Sequence, residues 1–144
     1  MPFLFQYADT TNLSNPRTKN AQGDKIISVN IFDENGNVSH QVTSVSKADD
    51  IKGINDSFEK MKNYVQNTEK LRNAHGSRLA DLEKSLMPVL DTAGRENVAL
   101  IRYAVDNLYS AIESSSVVSK FDEPNNEYLI KLFEKCKAFA LAFK

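Results

Sequence analysis

A chain of 144 residues with 41% hydrophobic and 26% charged residues has the composition of one ordinary globular domain, which excludes an intrinsically disordered protein. The formal net charge is −1, and acidic and basic residues alternate without forming a basic stripe. We therefore expect no binding of nucleic acid through phosphate neutralisation. The single cysteine, Cys136, allows no disulfide within the chain, so the fold requires no oxidising compartment.

No segment approaches the roughly 18 apolar residues of a membrane span, so we expect no membrane association. Residues 1–8 form only a short apolar run without a basic region, which does not indicate a signal peptide. We expect a cytoplasmic protein, while the abundance of Asn and Ser with a single Cys also suits export without a cleaved signal.

Residues 1–25 are predicted to be a flexible segment. The alternation of Phe3, Phe5 and Tyr7 with other residues favours a short strand near its start. The stretch from Asp9 to Asp24 contains hardly an apolar side chain, and we interpret it as a mobile loop.

Residues 26–45 are predicted to form a β-hairpin. Isoleucine and valine recur at alternate positions on each side of a polar stretch that contains Asn35 and Gly36. These two residues tolerate the positive backbone angles of a tight reversal, which is the strongest local signal for a hairpin.

A calcium loop is an alternative interpretation of the same turn. Asp33, Asn35 and Asn37 offer side-chain oxygens at alternate positions. However, Gly36 comes fourth rather than sixth, and Ser44 stands where a calcium loop has its glutamate. We favour a plain turn and predict no metal ion and no cofactor.

Residues 46–144 are predicted to form a helical bundle or coiled-coil region, dominated by one long amphipathic helix from Ser46 to Leu90. This helix would be about 66 Å long. Its apolar residues keep one heptad phase, as a packed seam requires. The seam consists of Ile51, Ile54, Phe58, Met61, Val65, Leu79, Leu82 and Leu86.

A polar layer of Thr68, Arg72 and His75 interrupts this seam, beside Gly76. One interpretation ends a helix at Gly76 and starts another with Ser77 as its cap. The other continues the helix, because the heptad phase is the same on both sides and a glycine costs only about 1 kcal/mol in a helix interior. We favour the continuous helix.

Two shorter helices are predicted beyond it, from Arg95 to Ser115 and from Asn125 to the end of the chain. Pro88 disfavours helical geometry at Met87 and indicates that the long helix ends soon after. The predicted fold class is therefore α+β and mainly α: an N-terminal hairpin, with a third strand as an option, followed by a long helix and two shorter helices packed as a bundle.

The run from Leu71 to Gly76 resembles a shortened version of the arginine-to-histidine motif of HEPN-domain ribonucleases. In that family the two side chains reach one phosphate across a dimer interface. Here only Asn73 and Ala74 separate Arg72 from His75, which is a shorter spacing than the family uses. The resemblance implies a small helical nuclease or toxin-like enzyme.

Neither His40 nor Cys136 suggests a catalytic centre by its sequence context. His40 alternates with valines on a predicted strand, which favours a structural or surface role. Cys136 lies in the apolar stripe of the last helix and lacks an activating neighbour, which favours core packing.

The favoured function is a non-enzymatic protein–protein interaction or assembly module that presents a long helical surface. The nuclease is the runner-up, and a third candidate is an inhibitor, immunity or chaperone-like protein that binds a secreted partner. We also expect a homodimer through the seam, because two short helices joined as a hairpin cover only about half of a long helix, and an exposed apolar patch of that length is rare on a monomer.

Overall fold

The computed structural model describes residues 4–9, 26–118 and 123–143. These residues form a mainly helical α+β fold, which confirms the predicted fold class and the hairpin. The predicted flexibility of residues 1–25 concerns a segment that, apart from residues 4–9, lies outside the described residues. The elements are β1 (Leu4–Asp9), β2 (Ile27–Phe32), β3 (Val38–Ser44), α1 (Lys47–Asn67), α2 (Glu69–Thr92), α3 (Arg95–Val118) and α4 (Glu123–Ala142).

The three strands form one antiparallel sheet in the order β1-β2-β3. The turn between β2 and β3 has Gly36 at φ 83°, a conformation that costs little only without a Cβ. The Asp33 carboxylate accepts the backbone amides of Asn35 and Asn37, each at 2.9 Å. This carboxylate oxygen therefore closes the turn itself.

One face of the sheet is apolar because side chains alternate along β2. Ile27, Val29 and Ile31 are each at most 2% exposed and pack against Ala99 and Leu100 of α3. The sheet therefore packs on the first turns of α3, and the rest of that helix packs against other helices.

The predicted long helix is wrong, because the chain divides at Thr68. Thr68 has φ −122° and ψ 108°, an extended conformation between the end of α1 and the start of α2. The two helices turn back on each other, and Lys62 Nζ of α1 lies 2.9 Å from a carboxylate oxygen of Glu83 of α2. The helix is continuous at Gly76, so the alternative break there is misplaced as well.

The apolar residues of α1 and α2 share one heptad phase on both sides of Thr68, although no continuous helix connects them. Two antiparallel helices that face one core each need an apolar stripe, and each stripe can start in any phase. In α2 the stripe starts at Leu71, which is 0% exposed, rather than at Arg72. A phase match across an extended residue therefore does not indicate a continuous helix.

Two helix ends also differ from the prediction. α2 passes through Pro88, as predicted, but ends at Thr92 rather than Leu90, and α3 ends at Val118 rather than Ser115. Pro88 is exposed and sits in the last turns of α2, where the ring has room on the solvent side. A proline that removes one hydrogen bond near a helix end does not stop a helix whose opposite face is packed.

The four helices close a bundle within the described chain. α1 packs against α2 and α3, and α4 packs against the same two helices on the opposite side. Contacts advance in the same direction along α1 and α3, which makes them parallel: Asp50–Arg102, Ser57–Asp106 and Tyr64–Glu113. α2 and α4 are parallel by the same criterion: His75 contacts Phe133, and Ser85 contacts Lys137.

The seam residues lie inside this bundle and not on its surface. Seven of them are between 0% and 3% exposed, and Ile51 is partly buried against the same cluster. The homodimer was expected because a single long helix would expose part of its apolar stripe. Since α1, α2, α3 and α4 cover one another, no such exposed stripe requires a second copy.

Candidate functional site

A groove runs along the outside of the bundle between the parallel helices α2 and α4. Its floor consists of Leu82 and Val89 from α2 and of Phe133 and Ala140 from α4, each between 2% and 4% exposed. Two cavities lie in line along this floor. We call them the Leu82 cavity and the Val89 cavity, and together they form the α2–α4 groove.

The Leu82 cavity has a volume of about 210 Å³ and lies nearer the α1–α2 turn. Its rim carries charges of both signs. The lining residues are Arg78, Asp81, Leu82, Ile130, Phe133, Glu134 and Lys137.

The Val89 cavity has a volume of about 690 Å³ and lies nearer the end of α2. The only charged residues that line it, within the described part of the chain, are the two lysines. The lining residues are Lys84, Ser85, Pro88, Val89, Thr92, Lys137, Ala140 and Leu141.

Lys137 lies between the two cavities and lines both of them. Its Nζ donates to the hydroxyl oxygen of Ser85 on the opposite helix at 2.9 Å. The lysine side chain therefore crosses the groove at the point where the two cavities meet.

Leu141 stands on the rim of the Val89 cavity and is 67% exposed. Val38 and Tyr128 are the other exposed large hydrophobic residues among those whose burial the structure describes. Leu141 thus extends the apolar floor of the groove toward the solvent.

A second, more polar cleft of about 250 Å³ lies under the tip of the hairpin. We call it the His40 cleft. The lining side chains come from the hairpin, α3 and α4 and include His40, Tyr103, Asn107 and Lys135. The His40 and Tyr103 rings lie with their centroids 5.3 Å apart.

A bulge in β3 sets the position of the His40 ring. Ile31 pairs with His40 while Phe32 pairs with Val38, so Ser39 is an extra residue. The Ser39 hydroxyl donates to the Ile31 carbonyl at 3.1 Å and lies 3.1 Å from His40 Nδ1. These two contacts tie the His40 side chain to the bulge.

The polar layer does not assemble into one site. Thr68 forms the break between helices, and Arg72 lies on the surface, where it donates to the Gln66 carbonyl at 2.7 Å. His75 is 0% exposed and stacks on Phe133 with the ring centroids 5.5 Å apart. The guanidinium therefore caps the end of α1 while the imidazole belongs to the core.

Cys136 is 1% exposed and lies in the core. Burial raises the pKa of its thiol from 9.0 to about 12, which opposes formation of the nucleophilic thiolate. Among the described residues, no group of three or more His, Cys, Asp or Glu side chains is placed to hold a metal ion. None of the helices described here is both long and apolar enough to cross a membrane.

The sequence did not indicate the groove, because its two walls are far apart in the chain. The one local indication of the groove is Leu141, which follows the buried Ala140. An amphipathic helix would have a polar residue at such an exposed position. No protein family, curated protein or solved structure matches this chain. The function is therefore inferred from the geometry of the chain itself.

Proposed function

We propose that the protein is a non-enzymatic protein-interaction module whose α2–α4 groove binds an amphipathic helix of a partner protein. The observation that carries this proposal is the pair of neighbouring cavities between α2 and α4, each with apolar residues of both helices in its lining. A helix that lies in a groove presents residues at spacings of three, four and seven as its anchors. Because α2 and α4 are parallel, the groove between them follows the direction of both helices.

The charges on the rim favour an acidic partner. Lys84 and Lys137 face the Val89 cavity without an acidic residue among its described lining. A partner with carboxylates beside its apolar anchors would meet both ammonium groups at the rim, where complementary charges direct association and specificity. An apolar anchor would cover the exposed part of Leu141.

A nuclease that uses Arg72 and His75 has less support from this geometry. Both side chains would have to reach one phosphate, yet His75 is 0% exposed and Arg72 binds the Gln66 carbonyl. Access to the His75 ring would require the packed core to open. The interaction module requires no such rearrangement.

The test uses a photo-reactive residue in place of Thr92, an exposed residue that lines the Val89 cavity at the end of α2, in the full chain, in native lysate. We expect cross-linking to one protein through a helical, acidic segment. Leu141→Glu and Lys137→Glu should abolish this cross-link, since both exposed side chains line the groove.

Two surface variants of α4 provide matched controls. Tyr128 is 56% exposed and Lys131 is exposed, and neither lines the groove. Tyr128→Glu and Lys131→Glu should keep the cross-link. A cross-link that survives Leu141→Glu, or one that joins two copies of this chain, would contradict the proposal.

A further inference from the structure

We infer that the partner helix carries two apolar anchors seven residues apart and an acidic residue between them that pairs with Lys137. This inference rests on the proposed function, and it adds the register and the charge pattern of the partner. It follows from the spacing of the two cavities and from the position of one side chain.

The residues that line the two cavities are separated by the same interval on α2 and on α4. Leu82 and Val89 are seven residues apart on α2, and Phe133 and Ala140 are seven residues apart on α4. Seven residues correspond to about 10.5 Å along a helix. Because α2 and α4 are parallel, both walls advance together, and the floor repeats after about two turns.

A helix that lies along the groove advances by the same distance per residue. Residues i and i+7 of such a helix lie on one face and reach the two cavities in turn. Residues i+3 and i+4 lie on the same face between them. Their side chains therefore meet the point where Lys137 crosses the groove.

Lys137 is suited to bind a carboxylate of the partner at that point. Its Nζ binds the neutral hydroxyl of Ser85 at 2.9 Å, and no carboxylate of the described residues forms an ion pair with it. A hydrogen bond to a carboxylate is stronger than one to a neutral acceptor. A partner carboxylate would displace the Ser85 hydroxyl and also turn the lysine away from the apolar floor.

The charges on the rim also favour one orientation of the partner helix along the groove. The rim of the Leu82 cavity carries two carboxylates and two cations, so its charges balance and a further partner carboxylate gains little there; these residues are Asp81, Glu134, Arg78 and Lys137. Lys84 borders the Val89 cavity and favours such a carboxylate. Additional acidic residues of the partner therefore lie beside the anchor that enters the Val89 cavity.

Synthetic alanine-based helical peptides of about 18 residues, long enough to form a helix, provide the probe. The matched peptide has Leu at i and i+7 and Glu at i+4. The second peptide has Lys at i+4, and the third has its leucines at i and i+5, which do not share a face. Fluorescence anisotropy with the full chain at low ionic strength measures each affinity.

We expect the matched peptide to bind roughly tenfold or more tightly than the other two. Lys137→Glu should reverse the preference between the Glu and Lys peptides, whereas Lys131→Glu should leave the order unchanged. This reversal is a readout that general loss of structure in the variant would not produce.

The outcomes separate this inference from the proposed function. If all three peptides bind equally and Leu141→Glu abolishes their binding, the groove binds helices but the inferred register and charge pattern are wrong. If no peptide binds and no helical segment cross-links at position 92, both the inference and the proposed function are overturned.

Discussion

The guanidinium of Arg102 lies across Gly53, where a Cβ would come 2.5 Å from Arg102 Cζ. From this position Arg102 donates to the Asp50 carboxylate at 3.1 Å. Asp50 is 4% exposed and also accepts the hydroxyl hydrogen of Ser44 in β3. The absence of a side chain at Gly53 thus allows one buried carboxylate to join the sheet, α1 and α3.

We predict that Gly53→Ala destabilises the protein by at most about 1 kcal/mol, because it moves Arg102 away from a buried carboxylate while the better helix propensity of alanine offsets part of that loss. Arg102 is partly exposed, which limits the cost. In an Arg102→Ala background the same change should instead raise the free energy of unfolding by up to about 1 kcal/mol, as alanine is the better helix former. Urea denaturation of the four proteins measures both effects, and equal effects in the two backgrounds would contradict the role of the contact.

The polar layer allows a second comparison. His75→Ala should lower the free energy of unfolding by about 2–4 kcal/mol, because it leaves a cavity beside Phe133. Arg72→Ala should cost at most about 1 kcal/mol, since it removes one exposed hydrogen bond to Gln66. Arg72→Ala should also bind the matched peptide as the unchanged chain does. A larger loss of stability for Arg72→Ala than for His75→Ala would show that this assignment is reversed.

The features that sequence reasoning predicted correctly depend on neighbours in the chain. The hairpin follows from Asn35 and Gly36, and the helices follow from the spacing of their apolar residues. The start of α1 follows from Ser46, whose hydroxyl accepts the Asp49 amide at 3.1 Å. In each case the residues that determine the element lie within a few positions of it in the chain.

The break at Thr68 was not predicted because a single residue in an extended conformation costs little and leaves no strong local signal. Asn67 and Thr68 are only mildly poor helix formers. What decides the reversal is the burial of both apolar stripes against α3 and α4, which is a property of the whole chain. The groove is likewise formed by residues that are about fifty positions apart, so no local pattern predicts it.

The raised pKa of Cys136 predicts that the free energy of unfolding decreases at high pH. Its thiol ionises near pH 9 in the unfolded chain, while the folded chain keeps the proton until about pH 12. Stability is therefore constant below pH 9 and falls as the pH rises above it. At about pH 10.5 the difference should reach about 1–2 kcal/mol.

A comparison between pH 8 and pH 10.5 tests this expectation, with Cys136→Ala as the control. Tyr109 adds to the alkaline loss in both proteins, because its hydrogen bond to the Glu113 carboxylate raises its pKa from 10.0 to about 12. The unchanged chain should lose more stability than Cys136→Ala. At pH 8 a thiol reagent should label Cys136 slowly in the native protein and rapidly in urea, and fast native labelling would show that the core side of α4 is open.

Two glycines should respond in opposite directions to substitution by alanine. Gly36→Ala should destabilise the hairpin by about 1 kcal/mol, because the φ of 83° is unfavourable for a residue with a Cβ. Gly76→Ala should stabilise α2 by up to about 1 kcal/mol, since the nearest atom to the new Cβ would be 3.8 Å away. Thermal unfolding of both variants checks the signs, and destabilisation by Gly76→Ala would speak against a continuous helix at that position.

The most direct measurement concerns the reversal at Thr68, since the groove exists only if α2 folds back along α1. Lys62 and Glu83 form an ion pair at 2.9 Å, and the carboxylate of Glu83 raises the pKa of Lys62. Spin labels on Lys62→Cys and Glu83→Cys, in a Cys136→Ala background, report their separation by electron paramagnetic resonance. Dilution with unlabelled protein removes any contribution from a second copy.

We expect a short separation, within the reach of two labels on adjacent helices, that does not change on dilution. In one continuous helix the same two positions would be about 31 Å apart. A distance near that value, or a short distance that disappears on dilution, would contradict the closed bundle and the groove together.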